Sequence, residues 1–139
     1  MRLALVALAA LLIVSCTSSV PAMRITRFST SPAHHYAAFD RSIVDPFVTR
    51  RVYDAVRALP PAPNVCFAET SYGLSYRLSF NDASRVILSV VVEGDGCVQV
   101  TFSDADRRAT DDAFWDLLAD TLGVKKTEIL FVLPDEVRR

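Results

Sequence analysis

Apolar and polar positions alternate three times between residues 74 and 102. Leu74, Tyr76, Leu78 and Phe80 are separated by Ser75, Arg77, Ser79 and Asn81. A period of two marks a strand with one buried face. Asn81-Asp82-Ala83-Ser84 then supplies turn chemistry, and Val86, Leu88, Val90 and Val92 repeat the spacing. Gly94-Asp95-Gly96 makes a second turn before a third row, Val98, Val100 and Phe102. Pairing Phe80 with Val86 and Val92 with Val98 sets Tyr76 against Val90 and Leu88 against Phe102. Every apolar row then lies on one face, so the spacing predicts an antiparallel meander with short hairpin loops. The opposite face carries Ser75, Arg77, Ser79, Ser89, Gln99 and Thr101, together with Ile87 and Val91. Scattered apolar residues on such a face need no special reason. A surface centred on Ser75, Arg77, Ile87 and Val91 is nevertheless the candidate docking site.

Two amphipathic helices flank the meander. Asp45-Pro46 is an N-cap acid followed by proline at the first helical position. Val48, Val52, Ala55, Val56 and Leu59 form one apolar stripe, and Pro60-Pro61 ends it. Arg50, Arg51 and Arg57 lie off the stripe, as a solvated face or an anion site. A second helix is expected from about Thr110, with the stripe Phe114, Leu117, Leu118, Thr121 and Leu122. Gly123 is placed to cap it, and Trp115 lies beside its stripe, at a core edge or as an exposed binding aromatic. Short strands are expected near 41–44 and over 127–133. The fold class predicted is α+β: an antiparallel meander of three to five strands, two helices packed on one face, and one disulfide.

The first sixteen residues follow a different pattern. Residues 3–14 are continuously apolar, too short for a membrane span of about 20 residues but suited to a signal peptide. Ile13-Val14-Ser15-Cys16 resembles the bacterial lipobox. That resemblance implies a diacylglyceryl group on the Cys16 thiol, cleavage before Cys16, and retention at the outer face of the cell membrane. Acyl chains contribute about 0.8 kcal/mol per buried methylene, so two or more hold a protein where one does not. Plain secretion with cleavage after Ala22 is the competing reading. The expected organisation is a signal peptide over 1–15, a lipidated cysteine and flexible tether over 16–40, and a single domain over 41–139. Arg24 to Ser29 is read as tether or as an edge strand.

Composition narrows the function. Removing Arg2 with the leader leaves 14 basic against 16 acidic residues, which offers no nucleic-acid footprint. Export favours pairing of Cys66 with Cys97, and both belong at the same end of the meander. Without Cys-x-x-Cys spacing the bridge reads as structural. His34-His35 makes a poor chelate on extended chain, so no metal is expected. Asp104, Asp106, Asp111 and Asp112 lack the glycine and terminal glutamate of a calcium loop. No nucleophile elbow, zinc-protease helix or phosphate loop is present, and no cofactor is expected. The segments around Cys66, Tyr76-Arg77-Leu78-Ser79-Phe80, Gly96-Cys97-Val98-Gln99-Val100 and Phe114-Trp115-Asp116-Leu117-Leu118 resemble small uncharacterised secreted or lipid-anchored proteins of high-GC Gram-positive bacteria. The resemblance implies a fold and a compartment. The function expected is a non-enzymatic, surface-tethered module that binds a protein or cell-envelope partner. A soluble inhibitor of an extracellular enzyme and a small hydrolase are the alternatives.

Overall fold

The structure is a computed structural model that describes residues 22–66, 71–83 and 85–131. The leader, the lipobox and Cys16 lie outside the described residues. The elements in chain order are β1 (Ala22–Ser29), β2 (Asp40–Ile43), α1 (Pro46–Ala58), β3 (Leu74–Asp82), β4 (Arg85–Glu93), β5 (Gln99–Ser103), β6 (Asp106–Ala109), α2 (Asp112–Leu122) and α3 (Lys126–Ile129). Among the described residues the strands form one antiparallel sheet of six, ordered β2-β1-β3-β4-β5-β6. The α+β class and the central meander hold, while the strand count exceeds the expected three to five.

One face of the sheet is the core. Met23 and Ile25 of β1 join Tyr76, Leu78, Phe80, Val90, Val92 and Val100, all buried. Val52, Val56 and Leu59 of α1 and Phe114, Trp115 and Leu118 of α2 complete the same cluster. Burying each such side chain is worth about 1.5–3 kcal/mol. Tyr53 of α1 meets Phe80 edge-to-face at 5.3 Å. Asp45 caps α1 by accepting from the Phe47 and Val48 amides. Gly123 ends α2 at φ 65, a left-handed conformation that suits a residue without Cβ.

Three expectations about the sheet change. First, β1 is neither tether nor edge. It lies between β2 and β3, with Met23 paired to Ile43 on one side and Phe80 on the other. The folded unit therefore reaches back to Ala22 rather than starting at 41. Second, both hairpins close two residues away from the expected register. Tyr76 faces Val92, and Val92 faces Val100. A shift of two preserves the face, so the apolar rows still converge. A bulge between Phe80 and Asn81 adds one residue to β4, and Val86 pairs with Asn81 instead of Phe80. Val86 is thereby turned out of the core row and is 55% exposed. Third, the run beginning at Thr127 opens as helix, because Glu128 reaches back to accept from the Lys125 amide at 3.1 Å. Ile129 and Leu130 are still buried, as apolar side chains in such a run should be. Val132 and Leu133 lie outside the described residues.

The Cys66–Cys97 bridge is formed, with a Cα–Cα distance of 5.8 Å. It ties the segment after α1 to the turn between β4 and β5. Asp95, buried in that turn, accepts from the Ser71 hydroxyl and from the Tyr72 and Leu74 amides. Val98, expected in the third apolar row, sits in the turn at φ 50, where its carbonyl accepts from the Thr110 hydroxyl. The β6 edge is covered by residues 60–62: Ala109 N donates to Pro60 O, and Ala62 N donates to Arg107 O. Short strands and proline-rich cover are common protection for a sheet edge.

Candidate functional site

The helix residues in the core cluster pack with the apolar rows, and the other sheet face carries the odd-numbered residues of β3 and their register partners. One row runs across all six strands: Asp40, Thr26, Arg77, Val91, Thr101 and Arg107. Beside it, Arg24 pairs with Ser79, which pairs with Ser89. Phe28 pairs with Ser75, which pairs with Glu93. Small hydroxyl residues alternate with long charged ones, as cross-strand neighbours on a wet face do.

The four expected docking residues do not act alike. Arg77 is exposed, directly across from Val91, with its guanidinium over the Phe28 ring at 5.4 Å. That places a cation and a half-buried valine in contact range at the centre of the sheet. Ile87 is 37% exposed at the bulge, away from this pair and near the hairpin tip. Ser75 is 2% exposed and offers nothing to a partner. It is a short side chain between two larger register neighbours, Phe28 and Glu93.

At the β1–β2 side of this face one pair of charges is matched. Arg24 makes a two-pronged pair with Asp40, with Nε 2.9 Å from Oδ1. This hydrogen bond holds the Asp40 carboxyl below the ordinary aspartate range. Arg24 is thus engaged with a side chain of β2. Arg27, on the core face, donates to Ala37 O at 3.0 and 2.7 Å. Glu93 is pushed above the ordinary glutamate range by burial; the Gln99 amide and Arg107 pull it back.

A second feature is a polar cleft of about 590 Å³ between residues 61–64 and 104–108. Two of its four charged side chains are paired with each other. Arg108 binds both Asp106 oxygens and donates to Leu59 O at the end of α1. Among the described residues no histidine, cysteine or hydroxyl nucleophile lines it. Three of the four aspartates that resemble a calcium loop in sequence are used separately: Asp111 caps α2, Asp112 meets Lys126, and Asp106 meets Arg108. Among the described residues no three His, Cys, Asp or Glu side chains converge on a common point. His34 packs its ring edge-to-face on Tyr72 at 5.0 Å.

Two buried aromatics carry polar groups. Trp115 is 1% exposed, which removes it as a binding aromatic. Its indole N–H donates to Thr110 Oγ1 at 2.9 Å. Tyr76 is fully buried and its hydroxyl has no hydrogen-bond partner among the described residues. Burial raises its pKa, and the neighbouring Arg27 guanidinium, which donates from Nε and Nη2 to Ala37 O, pulls it back.

The sequence pattern did not single out Val44 and Phe47. They are 76% and 81% exposed where β2 leads into α1. The signal was available: Phe47 precedes the α1 stripe and falls on none of its positions.

No protein-family model, no curated protein and no solved structure matches the chain.

Proposed function

We propose that this protein is a lipid-anchored extracytoplasmic module that binds a protein or envelope component without performing chemistry. The observation that carries the reading is the division of its cysteines. Cys66 and Cys97 are spent on each other, as expected in an oxidising compartment. Cys16 stands apart, directly after an apolar stretch of signal-peptide length, in a tetrapeptide resembling a lipobox. Cutting after Ala22 instead would remove the residue that pairs with Asn81 and start the chain inside β1. The binding reading is supported by the broad polar sheet face and its central Arg77–Val91 pair. It is also supported by the cleft, where Asp106 and Arg108 are paired with each other.

The test is acyl labelling with fractionation. Wild-type protein should incorporate labelled fatty acid and sediment with membranes, and Cys16→Ala should do neither. Unchanged membrane retention of Cys16→Ala would remove the anchor. A partner recovered equally by wild type and by Arg77→Glu, Val91→Asp would remove the sheet face as the binding surface.

A further inference from the structure

The chain enters the sheet at an end that carries four of the six large apolar residues exposed among those described. Ala22 pairs with Asn81, Met23 with Ile43, and Asp82 with Arg85. The start of β1, the end of β2 and the β3–β4 hairpin therefore share one end of the sheet. Val44 and Phe47 project there at 76% and 81% exposure, and Val86 and Ile87 at 55% and 37%. The other two large apolar residues exposed among those described, Val65 and Phe131, belong to the opposite end. Val65 adjoins the bridged Cys66, and the Phe131 amide donates to Gly94 O.

We infer that this end is a membrane-contact surface, on which Phe47, Val44 and Val86 enter the lipid interface. This rests on the anchor reading above, and chain length supplies the occupant. Five residues separate Cys16 from Ala22. Fully extended, the step from Cys16 to Ala22 covers no more than about 20 Å. An acylated Cys16 sits at the bilayer, so the start of β1 is held close to lipid. The far end of a nine-residue strand lies about 30 Å further along. The end within reach is the one with a phenylalanine and two valines in solvent, and phenylalanine is among the side chains that interfacial segments bury at the headgroup boundary. Arg51 and Arg85 are exposed beside it, with Asp82 as register partner of Arg85 and Asp45 occupied as the α1 cap. With charge nearly balanced, contact depends on apolar insertion more than on anionic lipid. Standing on this end leaves the Arg77–Val91 face upright and open to a partner.

The experiment places a reporter at each end. Phe47→Trp and Phe131→Trp each add an indole to a protein whose native Trp115 is 1% exposed and serves as common background. Each protein is mounted on phosphatidylcholine vesicles whose acyl chains carry bromine, a contact quencher. One set is acylated in the cell. The other begins at Cys16, retains every described residue, and is coupled through the Cys16 thiol to a maleimide phospholipid. Emission from the Phe47→Trp protein should shift to the blue and be quenched at least two-fold more than that from the Phe131→Trp protein, in both sets. Equal quenching at the two ends means that the domain lies flat or tumbles, and overturns the inference, as does an unquenched indole at position 47. Absence of acyl groups on the cell-made protein overturns the anchor alone, since the coupled set still reports on the contact.

Discussion

Tyr76 shows how one atom departs from an otherwise consistent core. Its ring is fully buried between β1 and β4, and Phe39 meets it edge-to-face at 6.4 Å. The ring belongs there by the period-two pattern, but the hydroxyl has no hydrogen-bond partner among the described residues. Burying an unpaired hydroxyl costs about 1–3 kcal/mol, whereas removing it leaves the ring packing unchanged. Tyr76→Phe should therefore raise stability by about 1 kcal/mol, seen as a higher urea midpoint with an unchanged slope. Glu93 carries a different cost. Its carboxyl is raised by burial, so the folded state favours the protonated form. Its contribution is fully present below the unfolded pKa and is lost as pH rises through the higher folded value. Glu93→Gln keeps an acceptor for Gln99 and has no charge to desolvate. It should match wild type at about pH 4 or below and exceed it near pH 7, measured as paired urea midpoints. Neither cost is visible in the sequence, because alternation says which face a side chain takes and nothing about how its polar end is satisfied. The same limit applies at Ser75. Alternation gives its face, but its register neighbour Phe28 sits on a strand the pattern does not place in the interior.

At the scale of elements, the strong periods are readable and the pairings less so. The α1 cap follows from Asp45-Pro46, and the α2 cap from Gly123. The three strands of the meander follow from their alternation. The hairpin register differs by two because alternation repeats every two residues and cannot count turns. The bulge at Phe80/Asn81 absorbs a residue that nothing in the local composition marks. β1 resembles a tether in composition because Met23 and Ile25 are its only fully buried positions. A strand covered by helices on one face alone needs little more than that. β6 has no apolar row at all and is held by pairing to β5 and by residues 60–62. The disulfide belongs to this scale because it fastens the incoming segment to the β4–β5 turn across 31 residues of sequence. Closing such a loop contributes about 3–4 kcal/mol in the chain-entropy model. Cys66→Ser together with Cys97→Ser should lose about that much in urea unfolding, and reductant should lower wild type to the same midpoint. A small loss in both would mean that Asp95 and its three hydrogen bonds hold the turn unaided.

For the molecule as a whole, the position of β1 decides what constitutes the domain. A chain starting at residue 41, the boundary drawn from composition, would lack β1 and Asp40 of β2. It would expose the β3 edge along the whole register from Leu74 to Asn81. It would also uncover the core where Met23 and Ile25 sit. Two fully buried apolar side chains are worth about 3–6 kcal/mol together. Total stability for a domain of this size is only about 5–15 kcal/mol. The lost ladder and the unprotected edge of β3 add to that deficit, and an open edge recruits other chains. The 41–139 fragment should therefore aggregate or elute as a broad, expanded species with no cooperative melt. The chain from Cys16 should be monomeric at low concentration and unfold in a single transition. Circular dichroism melts and size-exclusion profiles of the two proteins distinguish the outcomes. A cooperative, compact 41–139 fragment would make β1 an accessory strand. It would also detach the sheet from the short link to Cys16, on which the proposed membrane contact depends.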